Sequence, residues 1–162
     1  MTIDAFGDLP YPIAEPMRLL EAGPAHRLDE VEALSTDELP LHAKGVYTIW
    51  RGEEFLFVGM AGVGLRPPAL DRVAERDRAG RPWGLRVRLA AHAAGWRARD
   101  QFCVDVGDRI VLPSLSPDDL TAVAEGRDSL DRRIRDVIAE QMTCRIAQLS
   151  STNTARDLNR RL

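Results

Sequence analysis

The chain of 162 residues has only two cysteines, Cys103 and Cys144, which show neither metal-ligand spacing nor a pairing framework. This scarcity argues against a disulfide-stapled scaffold and fits a reducing cytoplasm. No apolar run approaches the ~20 residues that a bilayer-spanning helix requires. The first residues, MTIDAFGDLPYP, lack the basic start and apolar stretch of a secretion signal. We therefore expect a cytoplasmic protein with no membrane partner.

Several catalytic signatures are also absent. The sequence contains no Walker phosphate loop, no Rossmann glycine pattern, no cysteine-rich metal knuckle and no serine nucleophile elbow. We therefore expect no nucleotide cofactor. Hydrophobic residues make up 44% of the chain, which is ordinary for a globular protein of this length. We expect one folded domain at 41–162, preceded by an acidic, partly helical arm at 1–40.

Lysine is almost absent, because the chain has 21 arginines and only Lys44. The net charge of −3 conceals an asymmetry: residues 1–44 carry nine acids against three bases, and residues 66–99 carry nine arginines against three acids. Since arginine binds phosphate in a bidentate manner, the basic segment predicts a phosphate-binding face. The alternative is that these arginines form a solvent-exposed surface with no ligand, in a chain that is rich in arginine throughout. The net negative charge of the chain argues against a protein that coats nucleic acid without sequence preference.

The densest apolar stretch predicts a β-hairpin followed, after a loop, by a helix. Two β-branched and aromatic runs, 45–50 and 55–58, are separated by the four residues 51–54, which is typical of a hairpin. The segment 84–95 has helical periodicity. Its predicted inward face is formed by Leu85, Leu89, His92 and Trp96, with Arg88 on the flank.

The remaining segments complete a small α/β protein. We predict a mainly antiparallel sheet of three or slightly more strands, flanked by helices. Ser116 followed by Pro117 and two acids is a strong helix start. The predicted strands are 102–106, 110–112 and 142–149, and the predicted helices are 13–21, 28–34, 70–78, one from 128 or 129 to 141, and 154–162.

Three of these segments carry a known motif set. The first strand of the hairpin reads Gly45-Val46-Tyr47, the second reads Phe57-Val58-Gly59, and the helix carries Arg88 and His92 one turn apart. In this order and spacing they resemble the GIY-YIG nuclease family. The segment 95–113 resembles a bacterial branch of that family. The resemblance covers roughly residues 40 to 162.

The resemblance implies hydrolysis of phosphodiester bonds in DNA or RNA with one divalent metal, Mg²⁺ or Mn²⁺. Tyr47 would activate or orient the attacking water, and Arg88 would lower the pKa of that phenol or clamp the scissile phosphate. His92 would share a proton or hold a phosphate oxygen. From the residues alone, the alternatives are a half-buried strand tyrosine at Tyr47, a salt-bridged arginine at Arg88 and a core-edge histidine at His92.

The chain departs from the family motifs at two positions. Phe57 occupies the second motif tyrosine and keeps the ring without the hydroxyl. Asn159 occupies the position of the metal-binding glutamate, and a neutral amide is a poor sole ligand for a hard dication. Glu140, on the flank of the preceding helix, is the other candidate metal ligand. The alternative is that Glu140 is a solvent-exposed surface residue with no ligand role.

Four arginines are the predicted nucleic-acid contacts: Arg81, Arg86, Arg97 and Arg99. Trp83 and Trp96 bracket the arginine-bearing helix, where they would either stack on bases or pack in the protein. Two alternatives to a nuclease stay open. The first is a nucleic-acid-binding module that has lost cleavage, and the second is a non-nuclease use of the scaffold in small-molecule chemistry or in protein binding through the acidic arm.

Overall fold

A computed structural model describes residues 20, 23–62, 72, 75 and 79–148. Over these residues the protein is an α+β fold with a four-stranded antiparallel sheet and helices packed against it. The strands are β1 (His26–Arg27), β2 (Gly45–Arg51), β3 (Glu54–Ala61) and β4 (Met142–Gln148). The helices are a 3-10 helix (Leu28–Ala33), α1 (Leu85–Ala93), α2 (Gln101–Val106), a π-helical segment (Gly107–Val111), α3 (Leu112–Ser114), α4 (Pro117–Ala124) and α5 (Leu130–Gln141).

The sheet has the order β1-β4-β2-β3, and the predicted hairpin forms its β2–β3 half. The strands extend further than predicted, since Arg51 pairs with Glu54 and only Gly52 and Glu53 lie in the turn. Gly52 has a φ of 57°, a left-handed conformation that glycine adopts without a Cβ clash. The register places Tyr47 opposite Gly59 on β3. The predicted last strand is confirmed as β4.

The core lies between the sheet and α1, α2 and α5. The apolar spacing of α1 predicted its inward face correctly at Leu85 and Leu89, and the buried face of α5 consists of Leu130, Ile134 and Ile138. Ser116 and Asp119 form the capping box expected at the start of α4. The predicted helix at 28–34 is a single 3-10 helix. The described residues contain no helix long and apolar enough to cross a membrane.

The two strands predicted at 102–106 and 110–112 are wrong, because both segments are helical. Asp100 precedes them and its carboxylate accepts a hydrogen bond from the Phe102 backbone N–H, which starts a helix. Phe102 and Val106 are then one turn apart and both are buried. Capping and packing therefore override the strand preference of these β-branched and aromatic residues.

Trp96 does not share the inward face of α1, contrary to the prediction. The helix ends at Ala93, and Gly95 has a φ of 70°, which turns the chain away from the helix axis. Trp96 is consequently 63% exposed. The predicted helices at 13–21 and 154–162 lie outside the described residues except for Leu20, and the predicted helix at 70–78 lies largely outside them.

Candidate active site

Tyr47 lies in the middle of β2 with its ring against the helices, and it is 1% exposed. Its cross-strand partner is Gly59. A Cβ at that glycine would lie 2.3 Å from the Tyr47 hydroxyl oxygen, so the ring fills the space that the absent side chain leaves. The two motif positions thus form one structural unit: the glycine on β3 allows the tyrosine on β2 to turn its hydroxyl across the sheet.

We expect Gly59→Ala to destabilise the fold by about 1–3 kcal/mol, because the added methyl group forces the Tyr47 ring from its place. Urea unfolding measures this change. The matched control is Val58→Ala, which alters the neighbouring residue of β3 at a side chain that is 50% exposed. A loss no greater than that of the control would contradict the close packing of Gly59 on Tyr47.

His92 connects α1 to Tyr47. The Tyr47 Oη and the His92 Nε2 are 2.6 Å apart, which is a short hydrogen bond between buried groups. His92 is 2% exposed and lies on the same face of α1 as Leu85 and Leu89. The histidine predicted at the core edge is therefore in the core and is hydrogen-bonded to the motif tyrosine.

Asp100 completes a chain of three residues. Its Oδ2 lies 2.6 Å from the His92 Nδ1, and its Oδ1 accepts the Phe102 N–H at 3.1 Å. Asp100 is 8% exposed. We call Tyr47, His92 and Asp100 the buried triad. It joins a strand, a helix and the start of a second helix through two short side-chain hydrogen bonds.

Aromatic rings surround His92. The ring centroids of Phe57 and Phe102 lie 5.4 Å and 5.0 Å from that of the imidazole, both edge-on. Phe57, which stands in the second motif position, also lies 6.3 Å from the Tyr47 ring. These rings keep the imidazole in an apolar environment, where hydrogen bonds are electrostatically stronger than in water.

The pKa values of the triad reflect burial and nearby charge. Burial raises the pKa of Tyr47 to about 12, while the charge of Arg88 and a hydrogen bond from its side chain act in the opposite direction. Burial alone would also raise the pKa of Asp100. The hydrogen bond and charge of His92 and the backbone N–H groups of Cys103 and Phe102 outweigh burial and lower that pKa. Asp100 is therefore a carboxylate at neutral pH, and Tyr47 is a protonated phenol.

Arg88 is an exposed residue of α1, one turn before His92, as its flanking position predicted. It acts electrostatically on the Tyr47 phenol. The site therefore combines a solvent-facing cation, a buried phenol and an imidazole–carboxylate pair behind that phenol.

Arg86 is not a nucleic-acid contact, and that prediction is wrong. The residue is 6% exposed, and its guanidinium donates hydrogen bonds to backbone carbonyls at the end of the 3-10 helix and in the loop after it. The accepting carbonyls belong to Val31, Glu32, Leu34, Ser35 and Leu39. A side chain engaged in this way is not available to a phosphate.

The other predicted contacts lie at the surface. Arg81 and Arg99 are exposed, and Arg97 donates to Asp131 at 2.7 Å with 44% of its side chain accessible. Trp83 is buried beside His42 and the Lys44 ammonium, so it packs in the protein. Trp96 is exposed and leaves its ring accessible.

The described residues do not form the carboxylate set that a hard divalent cation prefers. Glu140 is exposed near the end of α5, and no cluster of three or more histidines, cysteines or acids with metal-binding geometry occurs in the part of the chain that the structure describes. Asn159 lies outside that part. The metal-ligand predictions at both positions therefore gain no support from the geometry.

Asp100 is the member of the buried triad to which the sequence analysis assigned no role. It lies eight residues after His92, in a loop between two helices, where no helical or strand periodicity relates the two side chains. The available signal was its position as an N-cap before Phe102. Comparisons of the chain with protein-family models, with curated proteins and with solved structures found no match.

Proposed function

We propose that the protein is an endonuclease that hydrolyses phosphodiester bonds in DNA or RNA, as the resemblance to the GIY-YIG family implies. The observation that carries the proposal is the 2.6 Å hydrogen bond between the Tyr47 hydroxyl and the His92 imidazole, beside Arg88. A buried phenol hydroxyl needs a hydrogen-bond partner in any case. An imidazole in that place is a partner that can also take up the phenol proton, which supports the proposal.

In the proposed reaction Tyr47 acts as the general base toward water. Its hydroxyl proton passes to His92, and the resulting phenolate takes a proton from the water whose oxygen bonds to phosphorus. The bond from phosphorus to the leaving oxygen breaks, and that oxygen takes a proton from solvent. His92 releases its extra proton to solvent, which restores the starting state. Because the phenol has a pKa of about 12, the imidazole behind it is needed for this step near neutral pH.

Arg88 is the proposed phosphate ligand. It is the exposed member of the group, so the substrate phosphate approaches Tyr47 past this guanidinium. A guanidinium binds phosphate oxygens in a bidentate manner and offsets the negative charge that develops on them. Arg81, Arg97 and Arg99 are the proposed contacts to neighbouring phosphates, with Trp96 exposed among them for base stacking.

The proposed metal is Mg²⁺ or Mn²⁺, on the basis of the resemblance alone. Since the described residues offer no carboxylate cluster for it, we assign no step of the reaction to a metal. The assay below therefore includes each cation and a chelator.

The test is cleavage of supercoiled plasmid and labelled oligonucleotides by the full chain with Mg²⁺, with Mn²⁺ and with chelator. We expect cutting by the unaltered chain, and we expect Arg88→Ala to slow it about 10- to 100-fold because the phosphate loses its cationic ligand. Arg127→Ala removes an exposed arginine that pairs with Glu125 and should cut normally. Equal cutting by all three preparations would indicate a contaminating nuclease and contradict the assignment of Arg88.

A second candidate is a nucleic-acid-binding module without cleavage, which the lack of a second motif hydroxyl at Phe57 favours. Such a protein would bind the same oligonucleotides with a steep salt dependence and release no cut product. Cutting that appears only after Asn159→Glu would identify a nuclease inactivated at its metal position.

A further inference from the structure

The two ring nitrogens of His92 have different partners, and this difference determines the tautomer. Nδ1 lies 2.6 Å from the Asp100 Oδ2, and Nε2 lies 2.6 Å from the Tyr47 Oη. An ionised carboxylate only accepts hydrogen bonds, so the proton of the neutral imidazole must be on Nδ1. Nε2 is then left with a lone pair directed at the tyrosine hydroxyl, which donates to it.

We infer that Asp100 is a positioning residue that holds His92 with Nδ1 protonated, so that Nε2 is the acceptor of the Tyr47 proton. When the Tyr47 Oη–H bond breaks, a bond from that proton to His92 Nε2 forms. The imidazolium then lies between a phenolate and a carboxylate, and Asp100 remains ionised throughout. The effect on cleavage rests on the proposed function, whereas the tautomer and the hydrogen bonds do not.

Asp100 is itself fixed for this role. Its second carboxylate oxygen is occupied by the Phe102 N–H at the start of α2, so the side chain cannot rotate without uncapping the helix. The residue is 8% exposed, which limits competition from water for the bond to His92. The same carboxylate therefore caps one helix and orients a side chain on another.

The groups that face the triad from other elements do not replace this carboxylate. Cys103 on α2 donates its thiol to the backbone carbonyl of His92 at 3.4 Å, and Cys144 on β4 lies near Tyr47. Burial raises the pKa of both thiols to about 12, so both are neutral at physiological pH. Arg88 contributes positive charge on the side of the phenol. Phe57 and Phe102 carry none.

A purely structural triad would tie α1 to β2 and α2 with the same tautomer, so the effect of Asp100 on cleavage is what separates a positioning role from a structural one. The decisive variant is Asp100→Asn, which keeps the size of the side chain and an oxygen to cap Phe102 but supplies an amide that also donates. Asp118→Asn, at an exposed position of α4, removes the same charge as a control. Asp100→Glu restores the carboxylate with one more methylene.

The experiment has two readouts on the full chain. In histidine ¹⁵N NMR spectra we expect a protonated Nδ1 and an unprotonated Nε2 for His92, and a different nitrogen pattern in Asp100→Asn only. In the plasmid assay we expect Asp100→Asn to cut at least about 10-fold more slowly, with partial recovery in Asp100→Glu.

The two proposals fail in distinguishable ways. Unaltered spectra of His92 in Asp100→Asn, or a protonated Nε2 in the neutral imidazole of the unaltered chain, would overturn the positioning role even if the protein cuts nucleic acid. The expected tautomer without any cleavage would support the role of Asp100 and contradict the nuclease proposal. If Asp100→Asn does not fold, the spectrum of the unaltered chain and the cleavage rate of Asp100→Glu still test the inference.

Discussion

Replacing Tyr47 with phenylalanine should reduce plasmid cleavage by at least about 100-fold and leave the fold intact. The substitution keeps the ring that packs on Gly59 and removes only the hydroxyl that donates to His92. Loss of a general base costs about 10²- to 10⁴-fold in rate, whereas leaving the buried His92 Nε2 without its partner costs about 1–3 kcal/mol of stability. Cleavage rates and urea unfolding on the same preparations separate the two effects.

Thr48→Val is the control for that substitution. It removes a hydroxyl from the adjacent residue of β2, on the opposite face of the sheet, where Thr48 accepts a hydrogen bond from the Trp50 indole. We expect its cleavage rate to stay within about two-fold of the unaltered rate. The Thr48 hydroxyl lies on the face of the sheet opposite Tyr47 and has no part in the proposed reaction. A Tyr47→Phe protein that cuts as fast as Thr48→Val would contradict the assignment of Tyr47 as the base.

Local patterns predicted the parts of the site that lie within single elements. β-Branched and aromatic runs identified β2 and β3, which a two-residue turn joins. The pairing of Tyr47 with Gly59 was not predicted, because a register shift between Ile49 and Trp50 moves it away from the register that the turn alone would set. The four-residue spacing of Arg88 and His92 placed both on α1. The contact between His92 and Asp100 has no such period, because it joins a helix to the loop that follows it.

The wrong predictions have a common physical origin in packing between distant segments. The residues at 102–106 and 110–112 favour strands by composition, but the Asp100 cap at the start of α2 and the packing of the π-helical segment against α5 make them helical. Arg86 and Arg88 are two residues apart on a helix, which places their side chains on nearly opposite sides. Arg86 therefore could not share a phosphate-binding face with Arg88, and the element packed on α1 decided which of the two arginines is buried.

Arg86→Ala is expected to destabilise the protein by about 3 kcal/mol or more. The guanidinium crosses from α1 to the last carbonyls of the 3-10 helix, including Glu32 and Leu34 at 2.9 Å each, and to the carbonyl of Leu39. Carbonyls at a helix end have no partner within the helix, so the arginine supplies donors that the backbone lacks. Its removal leaves several buried acceptors unpaired, at about 1–3 kcal/mol each before relaxation.

Arg86→Lys tests whether the shape of the guanidinium or only its positive charge stabilises the fold, and Arg81→Ala is the control. Lysine keeps the positive charge but has a single nitrogen instead of a planar fork, so we expect it to recover less than half of the lost stability. Arg81→Ala removes an exposed arginine five residues earlier and should change the free energy of unfolding by less than about 0.5 kcal/mol. A loss below about 1 kcal/mol in Arg86→Ala would contradict the role of this guanidinium as the anchor between the 3-10 helix and α1.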